Sequence, residues 1–250
     1  MKSNLVYILK RLLLRFGYQI RRINTFDALI SLLDHILKEK GSVSFVQIGA
    51  YDGKADDPLY AFVKSNCLQV KGICIEPLRD AWEKLVENYK DCPGITPVNL
   101  CIHNTAKEID LFRVDPARLP EVREWAFGIS SVNPEHHKLT GIPSNVMITE
   151  RVKCISLSEL LSQYCVTHLD LLQIDTEGYD SEIIRNIDFQ CISPSIIRFE
   201  HNFPGGIMTK KDLKSILGFL STHGYRTMYD SMDAIAYKRS MIGAVLRVSR

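Results

Sequence analysis

Titratable side chains follow directly on apolar runs at three places in this sequence: Glu76 after GICI, Asp175 and Glu177 after LLQI, and Glu200 with His201 after SIIRF. Upstream, the apolar run Ser44 to Ile48 enters Gly49-Ala50-Tyr51-Asp52-Gly53. Glycines there let backbone approach a ligand without an intervening side chain. An acidic side chain closing the next strand, as Glu76 would, can accept hydrogen bonds from both hydroxyls of a ribose. The two signals together indicate a nucleoside ligand. A dinucleotide fingerprint is GxGxxG, with a pyrophosphate on a helix N-terminus. Here the spacing is GxxxG with Asp52 inside the loop, which repels a pyrophosphate and suits the ammonium and sulfonium of S-adenosylmethionine. Carboxylates crowded at one sheet edge have their pKa values raised toward the range of a general base. Asp175 ranks first for that role, with His201 and Glu177 next, and Glu177 has the alternative of capping the following helix. A divalent ion bridging Asp175 and Glu200 is a weaker alternative, and no metal ligand is assigned.

For those residues to meet, their strands must lie parallel with their C-terminal ends on one edge, where ligands bind in open α/β sheets. The chain has that form. Strands are expected at 44–48, 72–75, near 97–101, at 170–174 and at 195–199, with helices over 58–65, 79–89, 179–187 and 210–222. Ser156 and Glu159 have capping-box spacing ahead of Leu157, Leu160 and Leu161. The last two runs, 225–229 and 234–238, are close enough for a hairpin, so an antiparallel pair should end the sheet. Residues 110–150, with four prolines and little periodicity beyond IDLFRV, are expected to form an irregular substrate-facing insertion. Within it His136 and His137 form a pair that could position substrate but more often is simply exposed, and Trp82 and Trp125 read as packing residues.

Composition sets outer limits. With 250 residues, 46% of them hydrophobic, the chain can bury one substantial core. A formal charge of +2, with no basic run interleaved with aromatics, gives no support to a nucleic-acid partner. Seven cysteines without a CxxC pair fit a reducing, cytoplasmic setting. The first 26 residues hold six basic residues and no acidic one, with Leu5, Leu9, Leu12, Leu13 and Phe16 on one side of a helical wheel. That pattern suits contact with an anionic membrane surface, here the inner face, or equally a helix packed on the domain. The expected organisation is a basic amphipathic segment over 1–40, a main domain over 41–240 and a tail over 241–250.

The stretches FVQIGAYDG, GICIEP, SLSELL, LLQIDTEGYDSEII and IIRFEH, in this order and spacing, resemble the FkbM family of S-adenosylmethionine-dependent methyltransferases. The resemblance runs over about residues 43–203. It implies a class I, Rossmann-like three-layer α/β sandwich with a seven-stranded, mostly parallel sheet whose last strand is antiparallel, and O-methylation of a sugar, glycan or related small molecule. Carried over, Gly49, Asp52 and Gly53 match the cofactor loop, Glu76 the ribose acceptor, and Asp175, Glu177 and Gly178 the motif after the fourth strand. Ala50, Pro77 and Ile102 complete the residues expected around the cofactor. Tyr51, Lys54 and the following Ala55-Asp56-Asp57-Pro58 depart from the small or apolar residues of many members. An NAD-dependent oxidoreductase and a non-catalytic protein of the same fold remain rival readings.

Overall fold

The computed structural model describes residues 24–202 and 208–241. Its first helix, α1 (Thr25–Lys40), is capped by Asn24, whose side chain accepts from the Asp27 amide, and ends at Gly41. Ala28, Leu29, Leu32, Leu33 and Ile36 repeat at helical spacing and are buried. They join the core beneath the sheet that follows. Residues 1–23, which carry nearly all of the surface-helix reading, and residues 242–250 of the expected tail lie outside the described residues. Among those described, no helix is long and apolar enough to cross a membrane.

The main sheet contains β1 (Val43–Ile48), β2 (Val70–Ile75), β3 (Ile95–Val98), β8 (Leu171–Ile174), β9 (Ile196–Glu200), β10 (Tyr225–Tyr229) and β11 (Asp233–Lys238). Their order is β10-β11-β9-β8-β1-β2-β3. All pairings are parallel except those of β11, which is antiparallel to both β9 and β10. The expected hairpin is therefore present, and its second strand inserts between β9 and the first. Strands buried on both faces read as nearly unbroken apolar runs, which is how LLQI and SIIRF present themselves.

Helices α2 (Pro58–Ser65) and α3 (Arg79–Tyr89) join α1 on one face, where Leu59, Phe62 and Leu85 meet Phe45, Cys74, Leu171 and Ile196. The other face is covered by α5 (Leu157–Gln163), α6 (Asp180–Arg185) and α7 (Lys210–Thr222). Their Leu160, Ile184 and Ile216 pack on Val46, Ile75, Leu172 and Ile197. The result is a three-layer sandwich. The capping box of α5 forms as the spacing predicts, with Ser156 and Glu159 bonding each other's backbone.

Residues 95–155 differ from expectation. The third strand ends at Val98, three residues short, where Asn99 turns its side chain to donate to the Glu76 and Pro77 carbonyls. The chain then leaves the sheet as β4 (Cys101–Ile102) and enters a second sheet with β5 (Glu108–Val114), β6 (Ser130–Ser131) and β7 (Met147–Ile155), in the order β4-β7-β5-β6. β5 and β7 pair antiparallel over seven residues. The insertion is thus anchored on a regular ladder, and its irregular part is confined to the arm between Val114 and Met147, which includes the short helix α4 (His136–Thr140). Arg113, almost fully buried, fastens this sheet to α3 through paired bonds of 2.7 and 2.8 Å to Asp80, and within the sheet it donates to Glu150 of β7 at 3.1 Å.

Candidate active site

The C-terminal ends of β1, β2, β8 and β9, with the insertion arm above them, enclose a cavity of about 580 Å³. At the end of β1, Gly49 has φ +76° and its amide donates, with that of Ala50, to the Ile75 carbonyl. A Cβ at Gly49 would stand 1.7 Å from the Asp175 carbonyl oxygen, so glycine alone permits this approach of β1 to β8. Tyr51 also has positive φ, and its ring packs beside Gly128 of the arm, joining the loop to the insertion. That contact accounts for a bulky residue at a place where Tyr51 departs from the small or apolar residues of many family members.

Glu76, 4% exposed, lines the cavity. One carboxylate oxygen accepts from the Tyr51 amide at 2.8 Å and the other from the Leu78 amide at 2.9 Å. Burial outweighs both bonds and raises its pKa to about 7. Each oxygen keeps a lone pair for a ligand hydroxyl. Ala50, Pro77 and Ile102 also line this end of the cavity.

Asp52 and Gly53 do not. The Asp52 carboxylate accepts from the Lys54 and Ala55 amides, closing the turn on itself, as short acidic side chains in turns commonly do. Gly53 lies under Leu85 and Tyr89, where a Cβ would come within 2.4 Å of a Leu85 methyl carbon. Their tasks are in the loop's fold, which corrects the expectation that Asp52 faces the ligand. The acidic groups that do face it here are Asp56 and Asp57. Asp57 caps α2 and accepts from Gln47.

Across the cavity stand Asp175, Glu177 and Glu200, one oxygen of each within 4.8 Å of the other two. Burial pushes the carboxyls of Asp175 and Glu200 upward, and their mutual repulsion with Glu177 and Asp180 adds to it. Protons or a cationic ligand would relieve that crowding. Asp180, fully buried beneath them, fixes both strand ends by accepting from Thr176 Oγ1 at 2.6 Å and from the Glu200 amide at 3.2 Å. Glu200 Oε2 and Gln173 Oε1 are buried atoms without a hydrogen-bond partner and belong to residues of the cavity wall.

His201 is the candidate that the structure removes. Strand alternation turns it away from Glu200, and it is wholly buried, its ring edge-on to Tyr229 rather than in the cavity wall. In its place the arm supplies His136, 4% exposed, with Nε2 3.0 Å from Glu177 Oε2. The expectation of an exposed pair fails for this member because α4 folds inward. Trp125 likewise does more than pack: it is half exposed and stands in the cavity wall with Leu139 and Met232. Sequence spacing offered no signal for His136, since its partner lies 41 positions away.

The full wall holds seven carboxylates, Asp56, Asp57, Glu76, Glu124, Asp175, Glu177 and Glu200, and among the described residues no Lys or Arg. Such a site fits a ligand carrying positive charge and an adenosine-like diol. The buried, amide-held Glu76 can receive the diol, and the unpaired oxygen of Glu200 stands among the acidic groups across the cavity.

The family profile described as Methyltransferase FkbM domain matches residues 47–227. Solved structures that the chain resembles include the precorrin-6y C5,15-methyltransferase of Geobacter metallireducens, 14% identical over 84% of this chain and 87% of that one, with a TM-score of 0.42. Another is the ribosomal protein L11 methylase of Lactobacillus delbrueckii subsp. bulgaricus, 12% identical over 85% and 78%, TM-score 0.40. A third is a SAM-dependent methyltransferase of Aquifex aeolicus, 8% identical over 83% and 90%, TM-score 0.39. No match was found among curated proteins. The matched span covers the glycine loop, Glu76 and the Asp175-Glu177 motif, and the chain belongs to the FkbM family of S-adenosylmethionine-dependent methyltransferases.

Proposed function

We propose that the protein methylates a hydroxyl group of an acceptor without phosphate, a sugar or glycan or a related small molecule. The observation that carries this reading is the cavity wall of seven carboxylates with no Lys or Arg among the described residues. A nucleotide-linked or phosphorylated acceptor, like the pyrophosphate of NAD, would bring negative charge into a site with no cation to receive it. A neutral hydroxyl compound meets no such repulsion. The arm between β5 and β7 is the acceptor-facing part, and its Trp125 and Leu139, with Met232 from the β10–β11 turn, offer apolar surface to the body of the acceptor.

The bound cofactor supplies an electrophilic methyl group on a sulfonium, open to in-line attack by oxygen. The chain's own residues do the rest. Glu76 would hold the ribose hydroxyls, Ala50, Pro77 and Ile102 would line the adenosine end, and Asp175 with Glu200 would face the positive charge. Holding both reactants turns a bimolecular displacement into an effectively unimolecular one, an effect worth roughly 7–11 kcal/mol when alignment is good.

Calorimetric titration with S-adenosylhomocysteine and NAD, followed by transfer of labelled methyl from S-adenosylmethionine to methyl hexosides and to UDP-hexoses, tests this reading. Binding of adenosylhomocysteine without NAD, and labelling of the uncharged glycosides, is expected. NAD binding would overturn the cofactor assignment, and labelling of the UDP-hexoses alone would overturn the acceptor class.

A further inference from the structure

We propose that His136, oriented by Glu177, is the group that takes the proton from the acceptor hydroxyl, in preference to Asp175. This rests on the hydroxyl-methylation reading above.

The geometry assigns the pair. His136 opens α4 on the inward side of the arm, lines the cavity and is 4% exposed, so bulk water does not hydrate its ring. Its Nε2 lies 3.0 Å from Glu177 Oε2. The two atoms stand at ion-pair distance without hydrogen-bond alignment, and the carboxylate's charge favours a proton on the nearer Nε2, which leaves Nδ1 as the basic nitrogen. The arm is fixed to Glu177 a second time through its backbone: Ser131 Oγ donates to the Glu177 carbonyl at 2.7 Å, Asn133 N donates to Ser131 Oγ, and His136 N donates to the Asn133 carbonyl. Side chain and main chain of Glu177 thus position one turn of the arm together. Glu177 itself sits at φ +52°, a left-handed conformation costly for a glutamate, and such outliers persist where surrounding contacts impose them.

The charge balance favours the same assignment. As the acceptor's O–H bond breaks, its proton passes to Nδ1 and its oxygen bonds the methyl carbon. The C–S bond breaks with its electron pair staying on sulfur, so the sulfonium becomes a neutral thioether. One positive charge is lost at sulfur and one appears on the imidazole, where Glu177 faces it directly. Asp175 is a poorer acceptor: burial and the neighbouring Glu177 and Asp180 drive its carboxyl toward the protonated form, which has no free base to offer.

The test begins with the folded protein labelled with 15N-histidine, its His136 signals assigned by comparison with His136→Gln. Long-range proton–nitrogen spectra at pH 8 should place the proton on Nε2 and leave Nδ1 bare, and Glu177→Gln should disturb that preference. A proton on Nδ1 would overturn the proposal without reference to any acceptor. With a glycoside that the wild type methylates, His136→Gln should lower kcat by about 10²- to 10⁴-fold, with adenosylhomocysteine affinity changed less than about twofold. An unchanged kcat would overturn the proposal while leaving the methyltransferase reading intact. Failure of the wild type to methylate any hydroxyl would instead overturn the reading on which it rests, and the tautomer result would then show only whether the pair is built as described.

Discussion

The α-carbon of Gly49 lies so close to Asp175 that a Cβ would stand 1.7 Å from its carbonyl oxygen, at a position where φ is already +76°. The β1–β8 register beneath it, Ile48 beside Ile174, sets both loops of the site at once. Gly49→Ala should therefore push the two strand ends apart. The cost of overpacking and of a left-handed alanine is about 3 kcal/mol, or roughly 6–12 °C in melting temperature for a chain of this size. Adenosylhomocysteine binding should fall with it. Thermal unfolding and calorimetry on the same sample check both, and an alanine variant that melts and binds like the wild type would contradict the close approach.

Glu76 is held by the Tyr51 and Leu78 amides, so its carboxylate is oriented before any ligand arrives. Truncation removes charge-assisted bonds to the ribose and also leaves the Tyr51 amide without its acceptor. Glu76→Ala should weaken adenosylhomocysteine binding by about 1.5–3 kcal/mol, which is roughly 10- to 150-fold in Kd. Unaltered affinity would sink the ribose assignment.

The parts of the fold that were legible share a physical cause. β1, β8 and β9 are buried on both faces, so LLQI and SIIRF read as strands, and α2 opens on Asp57-Pro58, a cap followed by a helix-starting proline. β7 was not legible, because Glu150, Arg151 and Lys153 face water or ion pairs and only Val152 and Cys154 are buried along its second half. Single residues were harder. Glu76 and Asp175 could be placed because a strand end dictates their position. Asp52 could equally face a ligand or close its own turn, and only the positions of the Lys54 and Ala55 amides decide it. His136 owes its burial to a carboxylate on another segment, and nothing local records that.

Stability should depend on pH in one direction through the acidic range. Burial raises Glu76 from 4.5 to about 7 and Asp180 from 3.8 to about 6. The folded state therefore binds more protons than the unfolded chain over this interval, and stability falls as pH rises from about 4 to about 7. Asp230 acts oppositely but lower down: against its burial, hydrogen bonds from Thr25, Met232 and Asp233 hold it at about 2, so its contribution disappears only as pH falls below about 4. The ligand-free protein should melt higher at pH 5.5 than at pH 8. Asp175→Asn, which removes the cost of keeping a buried carboxyl protonated in the crowded wall at this pH, should raise the pH 8 value, and S-adenosylmethionine should stabilise more at pH 8 than at pH 5.5. Differential scanning calorimetry at the two pH values gives all three comparisons; a higher melting temperature for the ligand-free wild type at pH 8 would contradict the burial of these carboxyls.

The arm that carries His136 and Trp125 is held to the domain in part by Arg113, whose side chain is 4% exposed while its partners Asp80 and Glu150 are 43% and 34% exposed. Deleting the guanidinium leaves a hole and two carboxylates, but those can rehydrate at the surface. Arg113→Ala should then cost about 3 kcal/mol, the lower end for breaking a buried pair. The loss should be local before it is global, because β5 and β7 keep their ladder while the sheet loosens from α3. Limited proteolysis at native temperature, read by mass spectrometry, should show cleavage within residues 115–146 accelerating well before the core is cut. Uniform acceleration across the chain would mean that Arg113 supports the whole domain and that the arm has no independent opening.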